Sequence, residues 1–259
     1  MIAPRRLLLG AAGVVGAILV VEAVNRLGLV DGDALPAAST ILSEAGRLAV
    51  DGDFLVDVGD TVRAWAGGLA LAVAVAVPLG VLLGSVPLLG TASRFLVEMC
   101  RPIPSVALIP LVLILFSSVT QQKMALIFYA SLWPILINTL YALRDVDPVA
   151  KESLRAFGFG EGSVLWRVSL PSAGPFIATG VRIAASVGLV VVISAELLAG
   201  GGEGIGVFLM ESQSGGGNTD VMLAGACWAG VLGLAANAGL VGLERLAFRW
   251  NTARVEGVS

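Results

Sequence analysis

The sequence predicts an all-α protein embedded in a membrane, with about six helices crossing it. Three observations predict it. Hydrophobic residues make up 57% of the 259-residue chain and charged residues only 14%, where a soluble domain carries about 25% charge. The mean hydropathy is +0.92. The apolar residues gather into runs at 7–24, 62–83, 106–119, 124–143, 176–198 and 221–243, most of them near the ~20 residues a spanning helix needs.

The same composition excludes other classes. The 16 basic and 19 acidic residues nearly cancel, so no basic field invites nucleic acid. There is no histidine, which removes the commonest general base and the commonest metal ligand together. Cys100 and Cys227 form no motif and read as packing residues. No catalytic residue, metal ligand or cofactor site is predicted.

Taken in order, residues 1–30 read as an N-terminal transmembrane helix. Pro4-Arg5-Arg6 ahead of the run also fits a signal peptide, even a twin-arginine one. The length of the run and the lack of a small-x-small cleavage site before Glu22 favour a retained helix. Residues 31–61 form an acidic loop with Asp31, Asp33, Glu44, Asp51, Asp53, Asp57 and Asp60. Within it a short helix over 37–50 gathers Ile41, Leu42, Ala45, Leu48 and Ala49 on one face, which predicts a helix lying along the membrane surface.

Residues 62–249 form the core, with five further spans. Gly80-x-x-x-Gly84 and the alanines of 70–76 predict close helix packing. The 106–119 run is short and reaches full length only with residues from Phe95 through Arg101-Pro102-Ile103-Pro104. Pro78, Pro110 and Pro134 predict kinks, which either serve packing or open a cavity between helices. The glycine-rich segment 199–220 reads as a mobile outer loop; no lysine follows its glycines, so it cradles no phosphate. Residues 250–259 form a cytoplasmic tail.

Lysine and arginine set the orientation. With the N-terminus in the cytoplasm, inside segments hold eleven basic residues: Arg5, Arg6, Arg94, Arg101, Arg144, Lys151, Arg155, Arg167, Arg245, Arg249 and Arg254. Outside segments hold four, Arg26, Arg47, Arg63 and Lys123. Both termini are then cytoplasmic.

The segment between the fourth and fifth spans carries the sharpest signal. Asp147 can cap a helix that Pro148 begins, Gly158 can turn the chain after it, and Pro171 ends or redirects a second short helix. Glu152, Arg155, Phe157, Phe159, Trp166 and Arg167 lie between. Exposed aromatics on such an elbow suit contact with a partner, or with lipid headgroups.

Glu152, Gly158 six residues later, and Leu170-Pro171 at eighteen and nineteen match the spacing of the EAA loop. In this the chain resembles permeases of binding-protein-dependent ATP-binding-cassette (ABC) importers, over about residues 35–249. Arg101-Pro102-Ile103-Pro104, Ile109-Pro110-Leu111, Trp133-Pro134-Ile135-Leu136-Ile137-Asn138-Thr139, Gly180-Val181-Arg182-Ile183 and Ala195-Glu196-Leu197-Leu198 resemble the nitrate/sulfonate/taurine (bicarbonate) branch. Ser153 and Leu154 depart from the usual two alanines, which suggests a dedicated partner.

The resemblance implies a type I ABC importer permease fold in a bacterial cytoplasmic membrane. It implies that residues 148–171 form coupling helices, with Glu152, Arg155, Phe157, Gly158, Phe159, Leu170 and Pro171 gripped by an ATPase subunit present in two copies. It also implies a second permease chain, as a homodimer, and a substrate-binding protein docking on the outer face near 31–60 and 199–220. The chain lacks its own P-loop, because neither Lys123 nor Lys151 follows a glycine.

Arg182 and Glu196 fall within the fifth span, on one face but about 21 Å apart, too far to pair with each other. Arg182 either attracts an anionic solute, or hydrogen-bonds helix ends or the coupling loop, or snorkels inward; Glu196 either anchors a gate or is a solvated interface residue. The rival to an ATP-driven importer is an ion-coupled secondary transporter of a small solute, for which neither an internal repeat nor midplane carboxylates are evident. An intramembrane enzyme lacks a catalytic set.

Overall fold

A computed structural model of the chain describes residues 4–214 and 218–248. The described residues are helical with connecting turns, in the order α1 (Pro4–Arg26), α2 (Ala38–Leu48), α3 (Gly52–Ser85), α4 (Pro87–Cys100), a 3-10 turn (Ser105–Leu108), α5 (Ile109–Leu115), α6 (Val119–Arg144), α7 (Pro148–Ala156), α8 (Glu161–Val164), a π-turn (Leu165–Ser169), α9 (Leu170–Ala199), α10 (Ile205–Ser214) and α11 (Thr219–Ala247). Among them α3, α6, the continuous helix Glu161–Ala199 and α11 are long and apolar enough to cross a membrane, and α4 passes the same test only together with Ser105–Leu115, from which it is bent by 80°. The remaining expected span is α1, 23 residues and about 34 Å long. Arg249, Arg254, the 250–259 tail and Gly215-Gly216-Gly217 lie outside the described residues.

The centre is α6, packed between α3 and α9. Small residues allow the approach: a methyl group on Gly80 would stand 2.7 Å from Thr139 Cβ, and one on Gly180 would stand 2.6 Å from Asn138 Cβ. The predicted glycine and alanine face of α3 is this contact, with Ala72 and Ala76 fully buried against Ile135, Leu136 and Ala184. Side-chain hydroxyls on the inner face satisfy themselves on nearby carbonyls, as when Thr139 donates to Ile135 O at 2.8 Å.

Helix α3 begins ten residues before the expected span, at Gly52, because Asp51 caps it by accepting from Phe54 N–H at 2.9 Å. Its 34 residues run about 51 Å, so its first turns carry Asp53, Asp57 and Asp60 beyond the apolar stretch. Helix α2 forms as predicted, but its apolar face does not lie free on a membrane surface. Ile41 and Leu48 are buried with Phe54, Ala224 and Trp228, and Trp228 Nε1 donates to Ala45 O at 2.9 Å. Leu42, placed on that face from the sequence, is exposed instead. Glu22 of α1 holds the start of α2 by accepting from Ser39 N–H at 3.0 Å.

The 106–119 span is broken. Helix α4 starts beside the far end of α6, where Gly90 lies against Leu83 O and Arg144. It rises to Cys100, whose carbonyl accepts from Tyr129 Oη at 2.8 Å. Tyr129 is ten residues into α6, about 15 Å from its start. Pro102 and Pro104 remove two helix donors there, and the chain resumes as α5, with Ile109 and Val112 packed on Leu126, Ala130, Val191 and Ala195. Arg101, expected in an inside segment, therefore sits at a break roughly halfway along α6.

Two further expectations change. Residues 203–214 are ordered: Gly204 and Ile205 are tied to α3, and α10 follows with Ile205, Gly206, Val207 and Leu209 buried. Pro171 does not separate the second elbow helix from the fifth span, since α8, the π-turn and α9 are one helix of 39 residues. The π-turn absorbs the donor Pro171 lacks: Leu170 N–H reaches back five residues to Leu165 O, which widens the turn ahead of the proline ring.

Candidate functional site

Three places gather the functional side chains. The first is the elbow. Asp147 accepts from Val149 N–H at 2.9 Å and Pro148 opens α7, as the sequence predicts. Gly158 ends it with φ +82°, Gly158 N–H bonding Arg155 O at 2.9 Å and Phe159 N–H bonding Leu154 O at 3.1 Å. These two bonds make a Schellman cap, which places its glycine in the left-handed region. Arg155 closes the elbow with two hydrogen bonds to Glu161, 2.7 and 2.9 Å, and Arg167 stacks over Phe159 at 5.1 Å.

The elbow is moored to the bundle by Lys151, which donates to Leu143 O at 3.0 Å near the C-terminal end of α6, where the helix dipole favours a cation. Val146 before it and Val164 within it are buried. Leu170 rests on Ala142, Leu143 and Ala173, so it anchors the elbow from inside, while Pro171 is exposed in the first turn of α9. Outward face Glu152, Phe157 (82% exposed), Trp166 (73%) and Val149. Leu154 is half-buried, turned partly toward its own chain.

The second place is a cavity of about 460 Å³ at the α4–α5 break, lined by Arg101, Ser105, Tyr129, Trp133, Asn138 and Val187 among others. Tyr129 and Trp133 stand edge to face with centroids 5.8 Å apart. The buried Trp133 Nε1 makes no hydrogen bond of good geometry among the described residues. A second recess, about 230 Å³, shares Arg101 and Ile137 with it and continues toward the elbow end past Tyr141 and Arg144.

The third place surrounds Glu196, 2% exposed near the other end of α9. Its carboxylate accepts from Thr61 Oγ1 at 3.0 Å and Gly206 N–H at 2.9 Å, and pairs with Lys123 Nζ at 3.0 Å. Lys123 also pairs with Asp60 at 2.7 Å and donates to Glu203 O. Thr61 Oγ1 accepts from Ile205 N–H at 3.0 Å, and Asp57 accepts from Gly204 N–H at 2.7 Å. Gly204 and Gly206 lie so close to Glu196 that a methyl group on either would stand about 2.4–2.5 Å from it. Lys123, expected in an outer loop, is thus a buried cation joining α3, α6, α9 and the segment before α10. Glu196 is not a solvated interface residue.

Arg182 and Glu196 do not meet, as their spacing requires. Arg182 Nη1 lies 3.4 Å from Glu244 Oε2 and links α9 to α11. Sequence reasoning missed Thr61 and Lys123 as partners of Glu196 and Asp60 as the second carboxylate on Lys123, and missed Arg101 with Tyr129 and Trp133. One signal was present: Arg101 is a basic residue set against two prolines beside a short apolar run.

Residues 76–246 match the family described as binding-protein-dependent transport system inner membrane component. The chain belongs to this family. It is 32% identical over 183 residues to the taurine transport system permease protein TauC of Escherichia coli, covering 71% of this chain and 66% of TauC. It is 31% identical over 175 residues to the nitrate import permease protein NrtB of Leptolyngbya laminosa, covering 68% of this chain and 62% of NrtB. The matched segments thus span slightly under two thirds of these relatives' own length. Among solved structures, a chain of a bacterial alginate ABC transporter, in complex with an alginate pentasaccharide-bound periplasmic protein, superposes with a TM-score of 0.66 at 15% identity, covering 94% of this chain and 96% of that one. The fold is that of an ABC importer permease, and the matched family segment holds the elbow, the mid-span cavity, Lys123 and Glu196.

Proposed function

We propose that this chain is the membrane-spanning permease subunit of an ATP-binding-cassette importer, moving a small anionic solute delivered by a binding protein. The elbow of residues 148–169 carries the proposal. It is capped at Asp147, turned at Gly158, cross-braced by Arg155–Glu161 and moored by Lys151, yet it turns Phe157 and Trp166 outward. A rigid elbow with unpartnered aromatics at one end of a bundle is shaped to be held by another protein.

In this reading the elbow and both termini face the cytoplasm of a bacterial inner membrane. Two copies of an ATPase subunit grip Glu152, Arg155, Phe157, Gly158 and Phe159 on a pair of permease chains, while Leu170 and Pro171 root the elbow in α9. The binding protein meets the opposite face, around residues 31–60 and 199–220. Glu196, locked to Lys123 there, serves a gate. Arg182, already paired with Glu244, holds α9 to α11. The anionic cargo rests on the likeness to taurine and nitrate permeases and on arginines lining the cavities.

The test has two parts. With Cys100 and Cys227 replaced by alanine, Phe157→Cys should react with a membrane-impermeant maleimide only after the membrane is opened. In proteoliposomes, uptake should require the ATPase subunit and ATP. Labelling of Phe157→Cys in intact cells, or uptake driven by an ion gradient without the ATPase, overturns the proposal.

A further inference from the structure

The structure assigns an anion-binding role to Arg101: we propose that its guanidinium, at the break between α4 and α5, is the half-way docking point for the solute's negative group. This rests on reading the chain as a solute permease. The first observation is position. Tyr129 holds the last carbonyl of α4 about 15 Å into α6, so Arg101, the next residue, stands at mid-depth. A cation there is costly in lipid and is retained where it faces water or an anion.

The second observation is that Arg101 has no side-chain hydrogen bond or ion pair among the described residues. Three other basic residues of the spanning helices have a carboxylate partner: Lys123 with Asp60 and Glu196, Arg182 with Glu244, and Arg94 with Glu98. The anion role considered for Arg182 from the sequence therefore fits Arg101 better.

The third observation is the surroundings. Arg101 borders both the 460 Å³ cavity and the 230 Å³ recess that leads toward the elbow end. The larger cavity adds donors suited to a small oxyanion: the Ser105 hydroxyl and the Asn138 amide, one N–H of which already donates to Pro134 O at 2.8 Å. The recess ends at Arg144, which also lacks an ion pair among the described residues, so an anion released by Arg101 meets a second guanidinium further along. The ligand class is a small anion with planar or tetrahedral oxygens, of the nitrate, carboxylate or sulfonate type, which a guanidinium binds through two parallel N–H donors.

The probe is a pair of thiol reagents of similar size, one a sulfonate and one a quaternary ammonium, applied to the full-length chain in lipid nanodiscs. Ser105→Cys is the reporter, in a background carrying Cys100→Ala and Cys227→Ala; Ile137→Cys is the second reporter should the first fail to run as a single species. The sulfonate reagent should react about tenfold faster than the cationic one, and Arg101→Gln should abolish the preference. Equal rates, a preference that survives Arg101→Gln, or no reaction with either reagent overturns the assignment. Neither cargo nor ATPase is needed, so loss of ATP-driven uptake with the preference intact overturns only the permease reading.

Discussion

Replacing Lys123 by methionine tests the most demanding element of this structure. The methionine keeps the apolar stem of the side chain but deletes a cation that is 4% exposed. Asp60 loses a partner at 2.7 Å and Glu196 one at 3.0 Å, leaving two carboxylates facing each other with Thr61 and Gly206 as the remaining donors to Glu196. Breaking a buried pair by removing one partner costs about 3–5 kcal/mol, most of it the penalty of an uncompensated charge. At about 2–4 °C per kcal/mol, the expected drop in melting temperature is about 6–20 °C. Glu196→Gln should cost less, because it leaves Lys123 and Asp60 as a neutral pair and keeps acceptor capacity toward Thr61. Lys123→Met combined with Glu196→Gln should recover part of the single-mutant loss. Thermal scans of purified protein in detergent, followed by tryptophan fluorescence, read all three. A Lys123→Met protein melting within about 2 °C of the parent, or a double variant less stable than Lys123→Met alone, would falsify the claim that this cluster fastens the segment before α10 to the bundle.

Three further outcomes follow from the packing. Gly158→Val forces a β-branched residue to φ +82°, which costs about 1–2 kcal/mol locally; ATPase-coupled uptake should fall about tenfold while the bundle's melting temperature holds. Arg155→Ala should leave the melting temperature unchanged, because the Arg155–Glu161 pair lies on the surface, but should raise protease cutting of the elbow; the swap of Arg155→Glu with Glu161→Arg should restore resistance. Gly80→Val brings a β-carbon within 2.7 Å of Thr139 Cβ, an overpacking of about 1–3 kcal/mol, and should lower the thermal midpoint where Gly230→Val, in open space on α11, does not.

What was legible in the sequence was what local chemistry decides. The apolar runs gave the spans, Asp147-Pro148 and Gly158 gave the elbow's start and turn, and Gly80-x-x-x-Gly84 gave the face of α3 that meets α6. What was not legible depends on which distant residues meet. Lys123 reads as a loop cation because it follows Gln121 and Gln122; only the packing of α3 and α9 around it supplies Asp60 and Glu196, 63 and 73 positions away in the chain. The Arg101 break was hidden for a related reason. Two prolines and an arginine look like the end of a span unless the two short helices they join are seen to climb the same neighbour. The glycines near 200–206 read as freedom, yet Gly204 and Gly206 are where the backbone must pass against Glu196.

One helix connects two of the three sites and passes the third. From Glu161 to Ala199 the chain is continuous for 39 residues, about 58 Å, with the elbow's cross-brace at its first residue and Glu196 one turn before its last. Its central turns hold Ile183 and Val187, which line the Arg101 cavity. A partner that tilts the elbow therefore moves the wall of the cavity and the carboxylate at the far end in one body, with Gly180 and Gly188 as the close contacts on α6 about which it can rock. The π-turn at Leu165–Ser169 is the one wide turn in that rod, at the root of the elbow. Such turns are frequent at functional sites. Within the proposed importer, the elbow's motion must cross this turn before it reaches either Arg101 or Glu196, which makes Leu165–Ser169 the segment whose stiffness sets how much of the ATPase's movement arrives.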